Sequence, residues 1–388
     1  MRNGLLAFMV AAMMLASLRG EPESRIVLAV DSTAEHPRNS EGAFAALQSG
    51  RIIFYYSQFL AGDEDYSPAR IVGIHSDDQG RTWSEPRVVV ADDARQNVTS
   101  PSLVRLASGR LALFYDRKNS AQDCHPVMRI SADEGTTWSE ATLVFDAPGY
   151  FVLNNDRVVV TGRGRLILPV AFHRSLSLVA DGYGAVDLHG IVLWYYSDDE
   201  GATWRQSPTW WALPVASGNG LQEPGVVELA DGSLFSWART DRGAQFGFRS
   251  RDGGVSWSEP SETGLKSPCA PASIKRLPGS NALLAVYNDH SGRFPYVRGW
   301  NDYSGRTPLV VAISADGGTT WPWRKAIETD LDHNYCYTAI HFTGDAVLLA
   351  YGAFHARNAK GDQPDRLCIR RISLSWLPAS IPLAAAGR

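Results

Sequence analysis

The stretch SDDQGRTW at 76–83 returns four times, as SADEGTTW at 131–138, SDDEGATW at 197–204, SRDGGVSW at 250–257 and SADGGTTW at 314–321. The shared form is Ser-x-Asp-x-Gly-x-(Thr/Ser)-Trp, with its acids at Asp78, Asp133, Asp199, Asp252 and Asp316. This is the chemistry of a hairpin turn. An Asp side chain bonds the backbone two or more residues on, a Gly takes the positive φ, and a Trp covers the turn. The starts lie 55, 66, 53 and 64 residues apart, a period that suits a small sheet and is too long for a solenoid turn.

Working outward, a second repeat precedes each turn. A first strand recurs as AFAAL from Ala43, SLVRL from Ser102, DRVVV from Asp156, PGVVEL from Pro224, ASIKRL from Ala272 and YTAIHF from Tyr337. A second strand follows each, from GRIIFYY at Gly50 to DAVLLAY at Asp345. A third runs into each turn, and in the sixth unit it is LCIRRISLSWL from Leu367, with no turn phrase after it. ESRIVLAV at 23–30 is left over as the fourth strand of that last unit. The pattern predicts an all-β, six-bladed β-propeller, closed by an N-terminal strand that completes the last blade.

The repeats fill about 26–377 of the 388 residues without a linker, so one domain is expected over 21–388. A net charge of −4 argues against nucleic acid as the main partner. Arg2 followed by an apolar run over 5–15 reads as an export signal ending near Gly20, too short to span a bilayer. A secreted or periplasmic protein, not held in a membrane after cleavage and monomeric, is therefore expected. Cys124, Cys269, Cys336 and Cys368 are too few for a disulfide scaffold and lack metal-ligand spacing. No metal and no cofactor are expected.

Antiparallel blades assign the two faces. The repeated turns join third and fourth strands, so they lie opposite the face where first strands begin and second strands end. Their acids are structural, and chemistry belongs at the other mouth. That mouth collects Arg38, Glu41, Asn155, Asp156, Gln222, Glu223, Tyr335 and Tyr337 from first-strand entries. Second-strand exits add Asp116, Arg117, His173, Arg239, Asp289 and His290, and loops add Asp63, Asp65, Asp123, His125 and Arg306. Such a rim of acids, arginines and tyrosines fits a charged sugar better than an apolar ligand.

These residues resemble the exo-sialidases (neuraminidases), six-bladed propellers that carry the same turn phrase, the Asp box. In LQEPGVVELADGSLFSWAR at 221–239 the resemblance places a catalytic glutamate at Glu223 and a carboxylate-binding arginine at Arg239. In RTPLVVAISADGGTTW it places a second such arginine at Arg306, and in YTAIHFTGDAVLLAY a nucleophilic tyrosine at Tyr337. The family's acid/base aspartate falls in the loop AGDEDYSPAR, at Asp65 or Asp63. The family's F-R-I-P entry to the first blade is absent. PRNSEGAF stands there, with Ser40 at the arginine's register and Arg38 two residues earlier, flanked by Glu41. Arg38 is the candidate replacement. Asp123 and Asp156 are further candidates for sugar contacts, and Asp156 has the alternative of pairing within the fold.

The resemblance implies hydrolysis of a terminal sialic acid, or a related acidic sugar, with retention. A carboxylate on the anomeric carbon would repel an anionic nucleophile, whereas a neutral phenol whose proton passes to a glutamate avoids this. Planar guanidiniums suit the substrate carboxylate, and a protonated acid suits the leaving oxygen. The alternatives are a non-catalytic glycan-binding propeller, or a hydrolase or lyase for another acidic sugar. Sialylated or other acidic glycans are the expected partners.

Overall fold

The computed structural model describes residues 24–379 except 92, 178, 180–182, 299–304 and 357–363. The expected export signal at 1–20 lies outside the described residues.

Strands alternate with tight turns along the whole described chain, and only two single 3-10 turns interrupt them. The first unit is Asn39–Ala46, Ile52–Phe59, Ala69–Ser76 and Arg87–Val90, paired antiparallel in that order. The fourth (Gln222–Glu228, Leu234–Arg239, Ala244–Ser250, Ser261–Lys266) and the fifth (Ser273–Arg276, Leu283–Asn288, Leu309–Ser314, Trp323–Glu328) repeat this order as separate four-stranded sheets. In the sixth, His333–Phe342, Ala346–His355 and Arg366–Ser373 are followed by Ser24–Asp31, which pairs antiparallel with Arg366–Ser373. The N-terminal strand thus completes the last sheet, as the leftover ESRIVLAV predicts.

The second and third units depart from the pattern. Their outer strands shrink to Thr142–Leu143 and Arg205–Gln206, and the third inner strand to Val159–Val160. A strand the sequence repeat does not announce, Gly149–Val152, runs antiparallel to Leu166–His173 and parallel to Asp123–Ser131. It welds the second and third units together, and with the parallel pairing of Ala69 and Asn97 between units one and two the first three form one hydrogen-bonded sheet.

Apolar side chains that alternate along each strand pack against the next unit, not only within their own. Ile53, Tyr55, Leu103 and Leu113 lie between units one and two, and Ile167, Trp194, Leu234 and Phe248 between three and four. Val286, Val311, Ile340 and Leu349 fill the space between five and six, while Phe44, Phe54, Leu348 and Ile369 join six to one. Inner strands contact one another in sequence order, and the sixth contacts the first.

The repeated turns are alike atom by atom. In the third, Ser197 Oγ donates to Asp199 Oδ1 at 2.8 Å and accepts from the Gly201 amide at 2.8 Å. Asp199 accepts from the Thr203 amide at 2.8 Å and hydroxyl at 2.6 Å. Those bonds, from Thr203 first, hold the Asp199 carboxyl down at about 2. The acids of the turns are saturated by their own loops and carry no chemistry.

Candidate active site

Among the described residues eight non-glycine residues have a positive φ, and they fall into two sets. Gln79, Glu134 and Glu200 occupy the fourth position of a repeated turn. Glu41, Ser100, Asp156, Glu223 and Tyr337, with φ between 48° and 59°, occupy one equivalent position at the entry of five inner strands. In four of these strands the pairing register slips at that point. The fifth inner strand has Pro271 there, whose ring fixes φ near −65° and forbids the turn. A bulge with one left-handed residue re-aims a side chain, and such strain is held where the surroundings over-determine it. Glu41, Ser100, Glu223 and Tyr337 all line one cleft.

The cleft holds about 980 Å³ of empty space including its open mouth. Tyr337 rises from the inner strand of the sixth unit and Glu223 from that of the fourth. Burial, and next the Glu223 carboxylate, push the Tyr337 phenol far above its ordinary value, against the pull of Arg306 and Arg239. Both side chains line the cleft. Arg239, at the end of the neighbouring strand, pairs with Glu223 at 2.8 Å, and its Nε donates to Gln222 Oε1 at 3.0 Å. The Arg306 guanidinium lies 5.8 Å from the centre of the Tyr337 ring. Its backbone is fixed by Asn288 Nδ2, which donates to the Arg306 carbonyl at 2.7 Å and to that of Tyr335 at 3.0 Å.

Arg38 reaches the same place from just before the first inner strand. Its Nη1 pairs with Asp65 Oδ1 at 2.5 Å and its Nη2 with Glu41 Oε1 at 2.7 Å. Its guanidinium lies 4.5 Å from the centre of the Phe59 ring. Glu41 also accepts from Ser100 Oγ at 2.9 Å. Burial raises the Glu41 carboxyl, although Arg38 opposes the shift. Ser40, at the register where the resemblance expects an arginine, is fully buried and does not line the cleft. Asp65 lines the cleft, whereas Asp63 is exposed and meets Arg38 through its backbone carbonyl, at 3.1 Å.

Two sequence candidates are placed elsewhere. Asp123 is half-exposed and bonds Asn119 and His125, outside the cleft lining. Asp156 pairs with Lys275 at 2.7 Å and accepts from the Ile340 amide at 3.0 Å. Its neighbours are tied in the same way. Asn155 Nδ2 donates to the carbonyls of Gly42 at 2.7 Å and Tyr337 at 3.2 Å, and Arg157 donates to Ala272 and Ser273 of the fifth unit. The third unit thus sends a polar spoke to the first, fifth and sixth, and Asp156 belongs to that spoke and not to the cleft. The sequence left open a pairing with Arg157 or a strand-end cap for it, whereas its partner is Lys275 of the fifth unit.

Sequence reasoning missed Lys118, Tyr150 and Ser100, which also line the cleft. Lys118 lies two residues past the expected second-strand exit, and Tyr150 lies on the unannounced strand. The Ser100 signal was available, since SPSLV aligns with EPGVV at Glu223. None of the four cysteines is in a disulfide, and all four are buried. Among the described residues no three His, Cys, Asp or Glu side chains gather to hold a metal ion.

The BNR repeat-like domain matches residues 25–355, most of the chain. The chain belongs to the BNR repeat-like domain family. Among curated relatives, the sialidase of Micromonospora viridifaciens is 25% identical over 335 residues, covering 78% of this chain and 48% of the relative. The anhydrosialidase of Macrobdella decora is 30% identical over 159 residues, 38% of this chain and 18% of the relative. The chain therefore spans less than half the length of either. Among solved structures, the intramolecular trans-sialidase of Ruminococcus gnavus, in complex with oseltamivir carboxylate, superposes with a TM-score of 0.68 at 17% identity. That superposition covers 90% of this chain and 97% of the other. A protein of unknown function from Dyadobacter fermentans is as close in shape, with a TM-score of 0.66 at 17% identity over 90% of this chain and all of its own. The all-β fold is that of these structures.

Proposed function

We propose that the chain is an exported exo-glycosidase of sialidase type, acting on terminal sialic acid or a related acidic sugar, on a closed six-bladed propeller. The observation that carries this reading is that Tyr337 and Glu223 line one cleft together with Arg239, which pairs with Glu223, while the Arg306 guanidinium lies over the Tyr337 ring. Glu223 takes the phenol proton as Tyr337 Oη attacks the anomeric carbon. Asp65 protonates the leaving oxygen, then activates water to release the sugar from the tyrosine with net retention. Arg239, Arg306 and Arg38 hold the substrate carboxylate. A phenol held far above its usual value stays neutral until the attack, as a nucleophile facing an anionic substrate requires. The expected ligands are sialylated or other acidic glycans, and the expected state is a monomer without nucleic acid, metal or cofactor.

The experiment is turnover of a fluorogenic sialoside by the purified protein and by Tyr337→Phe. Release by the first and not the second is the expected result. Release by neither, with either protein folded, sinks the sialidase reading. For export, the expected outcome is a mature N-terminus near Gly20, read by mass spectrometry of protein from the extracellular or periplasmic fraction.

One observation favours a second reading, an acidic sugar other than sialic acid. Arg38 already holds two carboxylates, Asp65 and Glu41, which compete with a substrate carboxylate. Comparing sialosides with uronic-acid and 2-keto-3-deoxy-sugar glycosides separates the two.

A further inference from the structure

Asp65 stands on the connection between Ile52–Phe59 and Ala69–Ser76, which has no strand of its own. A loop is a poor mount for a proton donor, because an acid displaced by an ångström loses much of its effect. The loop bonds itself weakly: the Ser67 amide donates to the Glu64 carbonyl and the Leu60 amide to the Pro68 carbonyl, each at 2.9 Å. Arg38 of the first unit holds the Asp65 carboxylate and the Asp63 carbonyl, and the grip on the Asp65 backbone comes from the second unit. The backbone carbonyl of Asp65 accepts from Lys118 Nζ at 2.7 Å and from Asn97 Nδ2 at 2.9 Å. Asn97 Nδ2 also donates to the Ser67 carbonyl at 2.8 Å, so the loop is gripped at the acid and again two residues on.

These two donors form one structural unit. Asn97 opens the inner strand Asn97–Arg105, Lys118 lies near the end of Leu111–Ser120, and the two are direct cross-strand partners. Asn97 is also paired with Ala69, where the loop re-enters its own sheet. Lys118 is 7% exposed, and its ammonium lies 5.4 Å from the centre of the Tyr150 ring. Burying an ammonium is costly unless it is bonded, so a lysine at this place has to be explained by what it holds. A charged donor also makes a stronger bond to a carbonyl than a neutral one does.

We propose that Lys118, seconded by Asn97, is the positioning residue for the acid/base Asp65, clamping its backbone so that the carboxyl meets the leaving oxygen. The inference rests on the glycosidase reading above and adds to it the element that aims the acid. Lys118 does not touch the reacting atoms in this role. It acts through Asp65, and its loss therefore weakens proton donation before it weakens binding.

The test is leaving-group dependence. General acid catalysis matters most for a poor leaving group and little for an aryl oxide that departs unaided. Lys118→Met keeps the stem and removes the donor, and Lys118→Arg keeps a charged donor. Each is compared with the wild type on an aryl sialoside and on an alkyl-linked sialyl-oligosaccharide, with circular dichroism to check the fold. The expected result is a kcat loss of about a hundredfold or more on the oligosaccharide, within the range of acid–base effects, with KM little changed. Loss on the aryl substrate is expected to be about tenfold smaller, and arginine is expected to restore part of the lost rate. Adding Asp65→Asn to Lys118→Met should cost little more than Asp65→Asn alone. Equal loss on both substrates, or full additivity with Asp65→Asn, overturns the assignment and leaves the glycosidase reading standing. A wild type that cleaves neither substrate removes that reading and this assignment with it.

Discussion

Tyr337 and Glu223 share a backbone oddity, φ of 59° and 48°, that no local sequence preference of tyrosine or glutamate favours. The surrounding sheets impose it, and the result is a phenol and a carboxylate facing one cleft. Tyr337→Phe keeps the packing and removes the nucleophile, so kcat on a sialoside should fall about a thousandfold or more while the folded fraction is unchanged. Glu223→Gln removes both the base and the partner of Arg239, so kcat should fall and KM rise together, read from initial-rate kinetics. His173, also in the cleft wall, gives a pH prediction. Burial pulls it down to about 4, and the hydrogen bond from its Nδ1 to the Asp187 carbonyl opposes this only partly. The unfolded chain takes up a proton near 6.5, so the neutral folded histidine contributes its full stability above that pH. That contribution, about 3 kcal/mol, is lost as pH falls from about 6.5 towards 4. Denaturant midpoints across this window should show the decline, and His173→Gln should flatten it.

At the scale of the element, the turn phrases were the most legible part of the chain. Their bonds are local, and a local pattern can be read without knowing the fold. Asp199→Ala removes the acceptor for the Thr203 amide and hydroxyl and should cost about 1–3 kcal/mol in thermal or denaturant unfolding, with KM unaltered. Less legible were the latches between sheets. Tyr115 donates to Asp93 of the unit before it and accepts from Arg129 Nε at 2.8 Å. Tyr351, Glu328 and Arg370 repeat the arrangement at the junction of the fifth and sixth units. Neither trio has a sequence signature, because its members are 14 to 42 residues apart and meet only across a junction. The strand Gly149–Val152 escaped notice for a related reason: it pairs with two different units and belongs to the repeat of neither.

For the whole molecule, strand order and the role of ESRIVLAV followed from counting, since six first strands and five turn phrases leave one strand unpaired. The position of Arg38 did not. Register arithmetic located it two residues before the expected arginine, but whether it faced solvent or cleft depended on the 60–68 loop and on Glu41. Asp156 was read as a rim residue because strand entries lie at the rim, yet the third unit turns its entry inward as a tie. Deleting 24–31 would strip Arg366–Ser373 of its partner and expose an edge. The expected outcome is an aggregating protein, seen as loss of the monomer peak in size-exclusion chromatography, while a single substitution at exposed Ile26 should leave that peak intact.

The left-handed entry residue has an implication for how such a protein acquires new chemistry. The same backbone seat is built at five points, and four of them look into the cleft from different directions. Ser100 occupies one with a small hydroxyl. A longer acidic or amide side chain could be installed there without remaking the main chain, and a different sugar substituent could be admitted while the phenol and its base stayed where they are. Novelty here is a matter of re-tenanting existing seats, and only the seat closed by Pro271 is out of reach.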